Sequence, residues 1–107
     1  MQVAGSNPEQ MKRVCKILEQ NTVAEFVDLN CGCPIDILCD RGCGAALMNK
    51  PNRLIEVVNS MTSELTSKSV TVKLRIGWDE KHANIHKILP MIQDVSRGRI
   101  AAVMVSW

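Results

Sequence analysis

Segments with the hydrophobic spacing of helices alternate with segments typical of strands, and this alternation limits the possible folds more than any other feature. Apolar side chains recur about one helical turn apart in three segments, and short apolar runs with strand character lie between and after them. No two strands are joined by a link as short as a hairpin turn. We therefore predict a parallel α/β sheet.

The predicted helices and strands have recognisable ends. The helices begin at Ser6-Asn7-Pro8-Glu9, at Asn49-Lys50-Pro51-Asn52 and around Asn84; the strands cover 24–29, 70–76 and 100–105, and 2–5 forms the end of an earlier strand. The first helix is expected to bury Met11, Val14, Cys15 and Leu18. Pro90 should kink or restart the third helix, because a mid-helix proline costs roughly 3 kcal/mol. The fully apolar run 100–105 is predicted to be a buried strand.

Three or four parallel strands with three helices leave two architectures open. One is a small open sheet, and the other is part of a (β/α)₈ TIM barrel. A complete barrel needs roughly 200 residues or more, so a chain of 107 residues would form less than half of one. We expect a single α/β unit that belongs to something longer.

Composition excludes several classes of protein. No apolar run is long enough to span a membrane, and no secretory signal precedes the first helix. One Phe, two Trp and no Tyr argue against nucleic-acid modules that stack bases on aromatic rings. Five cysteines, an odd number, favour a reducing compartment, and we expect a protein of the cytoplasm that could also occur in the nucleus.

Unusual polar residues fall where predicted strands end, which is where parallel α/β folds bind ligands. These segments are Gln2 to Gly5, Asn30 to Pro34 and Arg75 to Asp79. In VTVKLRI (70–76), Lys73 and Arg75 share one face with Thr71. Parallel sheets are covered on both faces, so these cations would need anionic or hydrogen-bonding partners such as a cofactor. A solvated face is the alternative.

The cysteines leave several chemistries open. Cys31, Cys33, Cys39 and Cys43 could together hold zinc or an iron–sulfur cluster, but their spacing matches no common module. A Cys31–Cys33 disulfide would be strained. A single exposed thiol on the turn could donate a proton near neutral pH. His82 and His86, at helical spacing, are either half of a metal site or surface residues.

The run DLNCGCPID (28–36) closely resembles the D-L/I-N-x-G-C-P motif of the tRNA-dihydrouridine synthases. Three further stretches agree in order and spacing: QVAG (2–5), GCGAALM (42–48) and VKLRIG (72–77). The continuation GCPID followed by RGCGAALM looks most like the eukaryotic branch that reduces the variable-loop uridine, position 47. The resemblance extends over nearly the whole chain.

The resemblance implies a fold, an activity and a set of site residues. Family members have an FMN-binding TIM barrel followed by a helical tRNA-binding domain; NADPH reduces the flavin, and its hydride passes to C6 of a tRNA uracil. Cys33 would be the acid that protonates C5, with Cys31 as a bystander. Gln2 and Lys73 would contact FMN, while Asn30 and Arg75 would face the uracil and the flavin. The resemblance implies neither a metal nor a membrane.

One departure from the family limits this expectation. Members have a histidine directly after the strand that follows Lys-x-Arg, whereas here 101–105 leads to Ser106-Trp107. We expect residues 1–107 to be the central fragment of an FMN-binding barrel, without a complete second domain, that binds FMN weakly and has no turnover alone. The alternatives are a non-catalytic fragment that serves as an interaction module, and another FMN barrel such as a dihydroorotate dehydrogenase-like enzyme.

Overall fold

A computed structural model describes residues 1–21, 25–31, 44–76 and 83–106. In chain order the elements are β1 (Gln2–Val3), α1 (Pro8–Asn21), β2 (Phe26–Asn30), a 3-10 helix (Gly44–Asn49), α2 (Pro51–Glu64), β3 (Ser69–Arg75), α3 (Ile85–Ser96) and β4 (Ile100–Ser106). The predicted alternation of strands and helices is confirmed.

The described strands form one parallel sheet whose order, β1-β2-β3-β4, follows the chain. Right-handed crossovers between successive neighbours place their helices on one face of the sheet. This is the winding of a (β/α)₈ barrel, whereas a doubly wound sheet reverses its strand order and carries helices on both faces. The predicted class, α/β with the architecture of a partial TIM barrel, is confirmed.

The helix-bearing face of the sheet forms the hydrophobic core. Val27 and Leu29 of β2 and Val70, Val72 and Leu74 of β3 are at most 1% exposed. They occur at every second position because successive strand side chains point to opposite faces. The helical partners are Met11 and Cys15 of α1, Leu54, Val57, Val58 and Met61 of α2, and Ile88 and Ile92 of α3.

Polar contacts fix both ends of α1. The Oδ1 atom of Asn7 accepts a hydrogen bond from the backbone N–H of Gln10 at 3.1 Å and so caps the N-terminus of the helix, within the predicted start at 6–9. Near the other end, the Glu19 carboxylate accepts hydrogen bonds from Thr66 Oγ1 (3.0 Å), Ser67 Oγ (2.7 Å) and the Ser67 backbone N–H (2.9 Å). These bonds tie α1 to the turn after α2. The bonds from Ser67 lower the pKa of Glu19, because they favour the ionised carboxylate.

The predictions of burial are wrong at two places. Ala101, Ala102, Met104 and Val105 of β4 are exposed, although 100–105 was expected to be buried. In the described part of the chain β4 is the last strand of the sheet, so apolar composition alone overstates its burial. Val14 of α1 is 44% exposed, because the helix turns it away from the core that holds Met11 and Cys15.

Of the two effects predicted for Pro90, a kink or a restart, the restart does not occur, because α3 runs unbroken from Ile85 to Ser96 with Pro90 inside it. Pro90 lies on the exposed side, while Ile88 and Ile92 are at most 1% exposed. Burial of these flanking side chains outweighs the missing backbone hydrogen bond. None of the described helices combines the length and the apolar character that a membrane crossing requires.

Candidate active site

The sheet face opposite the core carries the polar side chains. Asp28 and Asn30 alternate with core residues on β2, and Thr71, Lys73 and Arg75 do so on β3. The prediction that these three β3 residues share one face is confirmed. The expectation that a second layer covers them does not hold within the described ranges, because the helices pack on the core face and Thr71, Lys73 and Arg75 stay partly exposed.

This polar face borders an open cavity of about 740 Å³. Its lining includes Gln2 of β1, Phe26 and Asp28 of β2, Thr71 and Lys73 of β3, and Met104 of β4. The cavity wall therefore combines charged groups, hydrogen-bonding groups and apolar surface. Such a wall suits a planar ring with polar edges better than a small ion.

One row of hydrogen bonds crosses three strands of this wall. Strand register places Gln2 beside Asp28 and Asp28 beside Thr71. Gln2 Nε2 donates to Asp28 Oδ2 at 3.1 Å, and Thr71 Oγ1 donates to Asp28 Oδ1 at 2.7 Å. We call these three residues the Asp28 layer. It holds each side chain in a defined orientation across the sheet.

A second set of polar groups lies nearer the carboxyl ends of the strands. Asn30, the last residue of β2, is only 9% exposed and pairs with Lys73. Arg75 ends β3, and its buried Nε atom has no hydrogen-bond acceptor among the described residues. A buried donor without a partner is costly, so this atom is a candidate contact for a ligand.

Met48 anchors this end of the site from the core side. Its side chain, in the 3-10 helix, is fully buried, and its Sδ atom accepts a hydrogen bond from the Arg75 backbone N–H at 3.3 Å. Its carbonyl accepts another from Asn84 Nδ2 at 2.8 Å. The GCGAALM segment thus contributes packing beneath the end of β3, through Met48 and the fully buried Leu47.

Of the two cysteines in the turn motif, the structure describes Cys31 but not Cys33. Cys31 is fully buried among core residues, and its backbone N–H donates to the Lys73 carbonyl at 2.8 Å. That burial supports the interpretation of Cys31 as a bystander. Cys33, the predicted acid, lies outside the described residues.

The metal hypotheses fall mostly on undescribed residues. Cys39, Cys43 and His82 lie outside the described ranges, as Cys33 does. His86 is exposed on α3. Within the described ranges, no group of three or more metal-binding side chains is placed around a common point.

Asp28 and Thr71 were not predicted as site residues, although they complete the cavity wall. The available signal was strand alternation, which puts Asp28 on the same face as Asn30 and Thr71 on the same face as Lys73. The hydrogen bond between Asp28 and Thr71 joins residues 43 positions apart. Sequence spacing alone does not reveal such a contact.

The sequence of the chain matches the model of a known protein family over nearly its whole length. The sequence model of the dihydrouridine synthase (Dus) family matches residues 1–104, and the chain belongs to this family. The match extends from the first residues of β1 into β4, so it includes both the Asp28 layer and the strand-end residues. It sets aside the alternative of a dihydroorotate dehydrogenase-like barrel.

Individual relatives have related names. The tRNA-dihydrouridine(47) synthase-like protein of Xenopus tropicalis is 37% identical over 94 residues, which cover 88% of this chain and 15% of that protein. The human protein of the same name is 34% identical over 94 residues, 88% of this chain and 14% of its own length. A probable tRNA-dihydrouridine synthase of Treponema pallidum is 37% identical over 86 residues, 77% of this chain and 25% of its own. The chain thus spans a minor part of each relative.

Proposed function

We propose that residues 1–107 form the central part of the barrel of a tRNA-dihydrouridine synthase, an NAD(P)H-dependent flavin oxidoreductase that reduces a tRNA uridine to 5,6-dihydrouridine. The observation that carries this proposal is the row of polar side chains on one face of β2 and β3, in a chain that belongs to the dihydrouridine synthase family. This row lines the cavity at Asp28, Thr71 and Lys73, and it continues to Asn30 and Arg75 at the carboxyl ends of the two strands. In parallel α/β folds this end of the strands is where substrates bind.

The residues that we assign to the site suit the reduction of a uracil ring. The thiol of Cys33 holds the proton that goes to C5, and solvent later reprotonates the resulting thiolate. Asn30 and Arg75 bind the uracil edge, and one donor is the Arg75 Nε atom, which has no acceptor among the described residues. Lys73 places a positive charge next to a ring that gains electrons.

The residues of the wall also fit the ring end of FMN. Gln2 and Lys73 both line the cavity. The amide of Gln2 and the positive charge of Lys73 suit the carbonyl and N–H edge of a flavin. FMN, when bound, supplies the hydride that adds to C6 of the uracil. Gln2 and Lys73 orient the ring.

Two exposed basic residues support tRNA as the partner. Lys50 and Arg53 lie at the N-terminus of α2, on the side of the sheet where the strands end. Arg53 Nη1 also donates to the Ser6 carbonyl at 3.2 Å, so the start of α2 contacts the connection between β1 and α1. Positive charge on this side of the sheet would contact the phosphates of an RNA substrate.

The decisive experiment uses a complete barrel. In a chimera, the matched 94 residues of this chain replace their counterparts in the Xenopus tropicalis protein. We expect the chimera to form dihydrouridine in tRNA and to bind FMN. Cys33→Ala should lower the rate of dihydrouridine formation at least about a hundredfold, because a positioned acid contributes that much or more. Mass spectrometry of digested tRNA measures the product, and absorbance measures bound flavin.

Cys31→Ala is the matched control, because Cys31 lies on the other side of Gly32 from Cys33. It should keep most of the activity, with unchanged flavin content. Loss of activity in Cys31→Ala but not in Cys33→Ala would contradict the assignment. The 107-residue chain alone should bind FMN weakly and turn over no tRNA; a yellow chain that retains flavin through desalting and reduces uridine would contradict the proposal that it is a fragment.

A further inference from the structure

Asp28 controls which atoms its neighbours present to the cavity. An ionised carboxylate can only accept hydrogen bonds. Gln2 must therefore turn its NH₂ group toward Asp28, and Thr71 must direct its hydroxyl proton there, as the two hydrogen bonds of the Asp28 layer record. Both oxygens of the carboxylate are engaged, one by each neighbour.

The consequence for Gln2 is a fixed amide orientation. With Nε2 on Asp28, the carbonyl oxygen Oε1 remains for a ligand, and Gln2 lines the cavity. Thr71 donates its hydroxyl proton in the hydrogen bond to Asp28, so its oxygen can offer the cavity only acceptor lone pairs. The Asp28 layer is thus rich in hydrogen-bond acceptors on its cavity side.

The residues nearer the strand ends have the opposite character. Lys73 and Arg75 are donors, and Lys73 lies two positions beyond Thr71, about 6.6 Å along the strand. The wall therefore changes from acceptors to donors along β3. A ligand that matches the cavity wall presents an N–H group toward Gln2 and a carbonyl oxygen toward Lys73.

We propose that Asp28 is a positioning residue that orients the Gln2 amide so that Oε1 accepts a hydrogen bond from a ring imide N–H. This inference rests on the proposed function, since both the flavin ring and the target uracil contain an imide N–H flanked by carbonyl groups. Asp28 acts through Gln2 and touches neither the ring nor the reacting atoms.

The test uses the chimera described above and three variants. Asp28→Asn puts an amide beside Gln2, which can then offer its N–H to Gln2 Oε1 and invert the Gln2 amide. The double variant Asp28→Asn with Gln2→Glu keeps the net charge and restores an acceptor toward the cavity, because the new carboxylate can accept from the amide at position 28. Asp94→Asn is the matched control, since Asp94 is exposed on α3.

The measurements are the dissociation constant of FMN, from quenching of flavin fluorescence, and the KM for tRNA. If Gln2 contacts the flavin, Asp28→Asn should weaken FMN binding roughly tenfold, the size of one hydrogen bond of good geometry. If Gln2 contacts the uracil, the KM for tRNA should rise by a similar factor with FMN binding unchanged. In either case the double variant should recover most of the loss, and Asp94→Asn should behave as the parent.

The possible failures are distinguishable. If Asp28→Asn changes neither value, or if the double variant is no better than Asp28→Asn, the positioning role of Asp28 is overturned while the proposed function stands. A loss of thermal stability in Asp28→Asn that the double variant repairs without restoring binding would likewise overturn it. If the parent chimera neither binds FMN nor forms dihydrouridine, the proposed function and the role of Asp28 fall together.

Discussion

Cys15 is a buried thiol next to a carboxylate, and this environment determines its chemistry. Its side chain is fully buried in α1. Burial raises the pKa of Cys15 to about 11, and the negative charge of Glu64 on α2 adds to this effect. The thiol therefore stays protonated and inaccessible at neutral pH. Cys15 is a core residue, as its place on the apolar face of α1 predicts, and not a second candidate for the proton donor.

The raised pKa of Cys15 predicts a stability change at alkaline pH. Below the pKa of an unfolded thiol, about 8.5, both states hold the proton and the contribution of Cys15 is fully present. Above it the unfolded chain ionises first, so the free energy of unfolding should fall as pH rises toward about 11. Urea denaturation of the parent and of Cys15→Ala from pH 8 to 11 measures this difference. A difference between the two proteins that stays constant with pH would contradict the prediction.

Individual site residues were predictable to different degrees. Strand alternation and the motif resemblance pointed to Asn30, Lys73 and Arg75, and the structure puts all three on the polar side of the sheet. Asp28 could be assigned to that face but not to its two hydrogen-bond partners, because they come from other strands. The roles proposed for Gln2 and Cys33 rest on the resemblance and remain predictions.

At the scale of the element, α3 shows how packing overrides local preference. Pro90 removes a backbone donor from the interior of a helix, yet the helix continues because Ile88 and Ile92 are buried on either side. The cost of the proline is still present in the folded protein. Burial of the core side chains offsets this cost. Replacing the proline should remove the cost and so raise the free energy of unfolding.

Pro90→Ala should therefore stabilise the protein. The exposed alanine restores the N–H that can donate to the His86 carbonyl one turn earlier, and the expected gain is about 1–3 kcal/mol in the free energy of unfolding. Denaturant titration measures this gain. Asn52→Ala, at an exposed position within α2, is the control and should change stability by less than about 1 kcal/mol. A Pro90→Ala protein less stable than the parent would mean that the ring itself packs usefully.

Element types and order were predictable, but their surroundings were not. The 3.6-residue and two-residue periods identified the helices and strands because each element buries one side. The exposure of β4 could not be predicted, since a run such as 100–105 is apolar whether or not another layer covers it. Burial of a strand depends on its neighbours in the sheet, and those are set by the whole fold.

At the scale of the whole molecule, the described sheet leaves apolar surface uncovered on its cavity side and along β4. Phe26 is 49% exposed, Met104 is 65% exposed and Val105 is 46% exposed. Apolar side chains next to an edge strand with free backbone groups favour association with another sheet. The isolated 107-residue chain should therefore self-associate.

Met104→Lys should weaken this association by at least about tenfold, because a charge on an edge strand opposes pairing. Sedimentation velocity over a range of micromolar concentrations measures the monomer fraction. His86→Lys, which adds a charge on exposed α3, serves as the control and should leave association unchanged. Equal monomer fractions for the parent and Met104→Lys would show that β4 and the cavity face are not the contact.

The order of strands in the sheet also bears on how the chain can be synthesised. Each strand pairs with the one made just before it, so β2 finds β1 only 26 residues behind and β3 finds β2 43 residues behind. No strand has to be inserted later between two that have already paired. A chain leaving the ribosome can add one strand and one helix at a time, and each addition covers apolar surface of the unit before it. The same order allows the sheet to grow by repetition of that unit.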